Sequence, residues 1–252
     1  MSHPILRRIP AVFIPVKDLK RATEWYADLL ERPIVPKEHD DGIYIFDLGG
    51  TELILDSNSF GSSSMMMFGT DDIDAAHAFC KKHPHEVVTD IFSDEFISVF
   101  HINSHMVCKA NRIIETPKAR SGNARLTRMS HVFVHTDELD RTVGWYESFL
   151  SAQSKLHNQL GHLPFIAMDR GANLLFDDNR LSGTSLIYDP NIKSPIHAKP
   201  IVILESPDIL AVYRYFHEKN TPTSEVTENW GIRYFSFVDP DGNSIMVKET
   251  DA

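Results

Sequence analysis

Thirteen histidines among 252 residues make imidazole chemistry the first question, because imidazole is both a common metal ligand and a group that titrates near neutral pH. Two pairs have suggestive spacing, His131-x-x-x-His135 and His101-x-x-x-His105. On a helix each pair would share a face and could hold one ion. On a strand, residues four apart lie roughly 13 Å from each other at about 3.3 Å per residue, too far to share it. Other groups offer binding chemistry. Glu205 and His135 stand at matching distances into their segments, and Arg233 suits a carboxylate or phosphate if it points into a pocket. Trp230, Tyr234, Phe235, Phe237 and the run Met65-Met-Met67 could line an apolar pocket for an aromatic ligand. Cys80 and Cys108 form neither a disulfide framework nor a Cys-x-x-Cys knuckle and read as small buried hydrophobes.

The elements that must position these groups come from a repeat. Ala11-Val-Phe-Ile-Pro-Val-Lys-Asp-Leu-Lys-Arg-Ala-Thr-Glu-Trp-Tyr26 aligns without a gap on His131-Val-Phe-Val-His-Thr-Asp-Glu-Leu-Asp-Arg-Thr-Val-Gly-Trp-Tyr146. Ala11 stands where His131 stands. An apolar strand leads into a helix with Leu19, Ala22, Trp25, Tyr26, Leu29 and Leu30 at helical spacing, where core packing is the plain role of Trp25. Gly42 to Leu48 and Thr51 to Asp56 flank Gly49-Gly50, a two-residue hairpin signal. The same grammar recurs from Met65, from His131 and from Ile201, which predicts four βαβββ modules in two pairs. Residues 111 to 128 carry Arg112, Lys118, Arg120, Arg125 and Arg128 among Pro117, Ser121 and Gly122 without apolar periodicity, as expected for an exposed linker.

Paired modules, an acidic-Leu turn before an aromatic-Tyr helix, and the closing turn Asp239-Pro-Asp-Gly-Asn243 together resemble the vicinal oxygen chelate superfamily. That superfamily includes glyoxalase I, extradiol dioxygenases and bleomycin- or fosfomycin-resistance proteins. The resemblance covers about Pro10 to Glu249 and looks most like the two-domain members. It implies an α+β fold in which each pair of modules curls into a half-open mixed β-barrel cup flanked by helices. It also implies a divalent metal on the cup floor, held from the first residue of an opening strand and from a closing strand, which would chelate two neighbouring substrate oxygens. Counting eight residues back from each helix-start Leu or Ile puts Ala11, Met65, His131 and Ile201 at the opening positions. The closing positions fall at Met246 and near Ile54, Val107 and Leu175. Only His131 is a ligand type, where a tight site ordinarily needs three or four. The family metal site is therefore expected to be lost.

A formal charge of −10 opposes a broad grip on nucleic acid or anionic lipid, and no apolar run approaches the roughly 18 residues of a membrane span. The expectation is a cytoplasmic protein, monomeric or homodimeric, with a first glyoxalase-like domain over residues 1–110 and a second over 129–252. It would bind a small molecule in the second cup without a cofactor. His131 would serve as hydrogen-bonding or proton-transfer residue, and His135, Glu205, Arg233 and Phe235 would surround the ligand. The alternative is a glyoxalase-type lyase or extradiol dioxygenase whose Fe, Mn, Ni or Zn is held by residues outside the family positions.

Overall fold

The computed structural model describes residues 3–35, 41–82, 86–111, 125–181, 199–229 and 231–250. The first module comprises β1 (Arg8–Ile9), β2 (Ala11–Pro15), α1 (Leu19–Leu29), β3 (Ile43–Asp47) and β4 (Glu52–Asp56). The second comprises β5 (Met65–Gly69), α2 (Ile73–Cys80), β6 (Phe92–Ser93), β7 (Ile97–Ile102) and β8 (His105–Ala110). The third comprises β9 (Arg128–Thr136), α3 (Leu139–Leu150), β10 (Lys155–Leu156), β11 (Pro164–Ile166), β12 (Arg170–Gly171) and β13 (Asn173–Asp178). The fourth comprises β14 (Val202–Ser206), α4 (Ile209–Glu218), β15 (Thr227–Asn229), β16 (Ile232–Val238) and β17 (Ser244–Glu249). Among the described residues the first module lacks a strand between α1 and β3, so the βαβββ pattern is complete in three modules.

The acidic-Leu turns now have a cause. Asp18, Asp72 and Asp208 each cap a helix by accepting a hydrogen bond from the backbone N–H three residues on. The exception is α3, where Glu138 makes no side-chain cap and Thr136 Oγ1 takes the Glu138 N–H instead. Gly49 and Gly50 both have positive φ, 73° and 105°, which the tight β3–β4 hairpin requires.

Two mixed, open sheets result. Seven strands run in the order β3-β4-β2-β5-β8-β7-β6 and eight in the order β10-β11-β13-β9-β14-β17-β16-β15. Register fixes the internal equivalences. Ala11 pairs with Met67 and Glu52, while His131 pairs with Ile203 and Asn173. Phe13 pairs with Met65, and the Phe133 N–H donates to the Ile201 carbonyl. His131 therefore matches Ala11, and Ile201 matches Met65, as the spacing predicts. One closing position shifts: Met67 pairs with Met106 as Ile203 pairs with Met246, so Met106 rather than Val107 is equivalent to Met246.

Each sheet turns one face to helices and the other to its own cup. The helix-side faces share one core, and the Trp-Tyr helices tie the halves together reciprocally. Tyr26 of α1 donates to Asp239 in the turn after β16 at 2.9 Å, and Trp25 packs near Phe237. Asn243 of the same turn reaches the Pro15 carbonyl at 3.0 Å. In return, Tyr146 of α3 meets His105 Nε2 at 2.6 Å, and Phe149 packs edge-on against Phe68. The Asp239–Asn243 motif is thus a clamp between halves. Of the expected linker, residues 112–124, with Arg112, Lys118 and Arg120, lie outside the described residues. Its remaining arginines are engaged: Arg125 sits over the Tyr215 ring at 4.3 Å, and Arg128 already belongs to β9.

Candidate ligand-binding site

The cup of the eight-stranded sheet carries the expected candidates, and strand parity decides which of them face it. Along β9, His131, Phe133 and His135 alternate inward, opposite Asn173, Leu175 and Asp177 of β13. Ile203 and Glu205 of β14, Met246 and Lys248 of β17, and Tyr234 of β16 continue the same face.

His131 is almost wholly buried, 5% exposed, and burial beside His157 and Lys248 pulls its pKa down to about 3. It is neutral at pH 7. Its Nδ1 lies 3.1 Å from Ser130 Oγ, whose hydroxyl donates to the Ile203 carbonyl. When that hydroxyl hydrogen goes to the Ile203 carbonyl, Nδ1 carries the imidazole proton and donates to Oγ, and Nε2 is the acceptor. Nε2 is buried and has no hydrogen-bond partner. A buried ring nitrogen without a partner is an exception to the usual satisfaction of buried polar atoms.

The other polar groups are already engaged. His135 is held through both nitrogens, Nδ1 3.0 Å from Asp177 and Nε2 2.8 Å from the Pro200 carbonyl, and its ring stacks on Phe133. Glu205, 2% exposed, accepts from Arg128 Nε at 2.6 Å and pairs with the buried Lys248 at 3.1 Å. Burial pushes the Glu205 carboxyl up, but Arg128 and Lys248 outweigh that and hold it below the usual range. Sequence reasoning missed these partners. Lys248 lies one strand over from Glu205, and only the β14–β17 register brings the two together.

Two expected ligand contacts do not face the cup. Phe235 is fully buried on the helix side against Phe216 and Tyr213, and Phe237 packs there too. Arg233 is bound to Glu249, with Nε 2.8 Å from the carboxylate. The inward residue between them is Tyr234. Trp230 lies outside the described residues. His101 and His105 sit on different strands, β7 and β8, either side of the Asn103-Ser104 turn, so the single-strand distance does not apply. His105 gives its Nε2 to Tyr146, and its Nδ1 is buried among the helix-side aromatic rings without a partner. Of the Met65–Met67 run, Met65 and Met67 face the first cup, while Met66 joins the helix-side core.

The second cup is closed over His131. Leu175, Ile203 and Met246 are fully buried, and Leu160, from a turn in which Leu160 and His162 both have positive φ, covers them with Leu163 and Phe165. No helix among the described residues is long and apolar enough to cross a membrane.

No family model and no curated protein matches this sequence. Solved structures do. A catechol 2,3-dioxygenase superposes with a TM-score of 0.62 at 11% identity, over 97% of this chain and 89% of that one. The Mn(II)-bound glyoxalase from Novosphingobium aromaticivorans gives 0.59 at 14% identity, over 98% and 83%. An extradiol ring-cleaving dioxygenase from B. fuscum gives 0.63 at 14% identity, over 100% and 73%. The chain has the vicinal oxygen chelate fold.

The donor set decides whether the metal of that fold can be held here. In the second cup the opening and closing positions carry His131, Ile201, Leu175 and Met246, and in the first they carry Ala11, Met65, Ile54 and Met106. A hydrocarbon and a thioether do not replace an imidazole and a carboxylate for a hard divalent ion. Among the described residues, no group of three His, Cys, Asp or Glu side chains could hold an ion. The residues do not fit the metal.

Proposed function

We propose that this protein is a small-molecule-binding member of the vicinal oxygen chelate fold that works without the fold's metal chemistry. The observation that carries the reading is the unpartnered Nε2 lone pair of His131 on the wall of the second cup, where Phe133 and Tyr234 supply aromatic surface. A neutral imidazole acceptor selects a ligand that brings a hydroxyl or N–H donor, and the surrounding rings favour an aromatic one. Entry requires the Leu160–Leu163 turn to move, because the side chains beneath it leave no room in the closed state. Arg233 and Phe235 take no part. Glu205 is a structural carboxylate that holds Lys248 and Arg128.

Phenol and anisole separate this reading from non-specific apolar binding, since they differ in the single donor. Calorimetric titration is expected to give tighter binding of phenol than of anisole, by about tenfold for one hydrogen bond to a buried acceptor. His131→Ala should remove that preference. Equal binding of the two, or a preference that survives His131→Ala, would contradict the reading.

A further inference from the structure

The first cup differs from the second at a place that neither the metal positions nor His131 involve. Arg8 aligns with Arg128 in the sequence repeat, and it lies beside Gly69, which stands where Glu205 stands in the other half. In the second cup one row across the sheet reads Arg128, Glu205, Lys248, Tyr234. In the first the corresponding row reads Gly69, Cys108, Val99, with the Arg8 side chain beside Gly69. The arginine is present in both, and its carboxylate partner is present in one.

The consequences show at the side chain. Arg128 is locked by Glu205, whereas Arg8 makes no side-chain hydrogen bond or ion pair among the described residues, and its Nε is buried without a partner. A Cβ on Gly69 would lie 3.6 Å from Arg8 Cδ, so the guanidinium stem lies over the bare backbone where Glu205 rises in the other half. The acidic groups that face it are Glu52 and, beyond it, Asp47. Burial and then Asp47 raise the Glu52 carboxyl above its usual range, and Arg8 opposes that. Cys108, the remaining neighbour, is a thiol pushed up to about 12 by burial and carries no charge at neutral pH.

Around this cation the described lining of the cup is apolar and only partly buried. Ala11, Phe13 and Ile54 form its floor, while Ile43, Ile45, Met65, Ile97, Val99 and Met106 remain half-exposed on its wall. Their second-cup counterparts lie under the Leu160 turn. Methionine thioethers on such a wall adapt to ligands of different shape.

We propose that the first cup is a binding site for a small apolar monocarboxylic acid, with the carboxylate on the Arg8 guanidinium and the hydrocarbon against the Met- and Ile-lined wall. A single guanidinium matches a single negative charge, which favours a carboxylate over a dianionic phosphate, and Glu52 competes with the ligand for it. The site is independent of His131 and of the proposal for the second cup.

Calorimetric titration with octanoate, and with octanamide as its uncharged counterpart, tests this. Octanoate is expected to bind at one site per chain, at least tenfold more tightly than octanamide. Arg8→Met should cut octanoate affinity at least tenfold and leave octanamide unchanged. Gly69→Glu should abolish octanoate binding by giving Arg8 the internal partner that Arg128 has, and Glu52→Gln should strengthen it by removing a competing acid. His131→Ala should have no effect. Absence of octanoate binding to the parent, equal binding of the two probes, or an unchanged octanoate affinity in Arg8→Met would overturn the proposal. So would loss of octanoate binding in His131→Ala, which would place the acid in the second cup.

Discussion

His131 is neutral because burial, not a partner, sets its protonation, and His105 follows the same logic with its pKa lowered to about 4 by burial. Both folded values lie below the 6.5 of a free histidine. Between that value and the folded ones the unfolded chain binds protons that the native chain does not, so stability rises with pH across the window and is lost as acid is added. Each histidine contributes at most about 1.4 kcal/mol per pH unit there. Urea midpoints are therefore expected to fall between pH 7 and pH 4.5, and less steeply in His131→Gln. A profile parallel to the parent's would mean that His131 is not held neutral by the fold. Lys248 is likewise buried, 1% exposed, and pairs with Glu205 at 3.1 Å. Glu205→Gln should cost about 3–5 kcal/mol by removing the carboxylate that faces this buried cation, and adding Lys248→Met should recover most of the loss. Denaturation of the four members of this cycle measures the coupling.

At the scale of elements, the repeated Trp-Tyr helices are the parts that fasten one half to the other. Tyr26→Phe removes a buried hydrogen bond and leaves Asp239 with its contacts to Asn243 and the Asp241 N–H alone. The expected cost is about 1–3 kcal/mol in urea denaturation. A neutral result would mean that the clamp does not depend on this bond. Helices and opening strands were legible in the sequence because 3.6-residue and two-residue periodicity and acidic caps act locally. The equivalence of Ala11 with His131 was legible for the same reason. Which face of β16 meets the cup was not, since Tyr234 and Phe235 are both large and aromatic, and only pairing with Lys248 and Val247 separates them. The Glu205–Lys248 pair was hidden likewise, because a register between β14 and β17 joins residues far apart in the chain.

For the whole molecule, the two mixed sheets form cups of similar strand order and different chemistry. The second is closed and polar on one side, where Glu205 pairs with both Arg128 and Lys248. The first has an apolar, only partly buried lining among the described residues and retains an unpartnered guanidinium nitrogen. Neither holds at its family positions the donors of a divalent ion, and the central claim is that ligand binding here proceeds without one. Titration of the chelator-treated protein with Fe(II) under anaerobic conditions and with Mn(II), Ni(II) and Zn(II), followed by elemental analysis after gel filtration, tests that claim most directly. The account predicts less than one tightly retained equivalent of each metal and the same preference for phenol over anisole with or without chelator. One tightly bound equivalent that disappears in His131→Ala would contradict it.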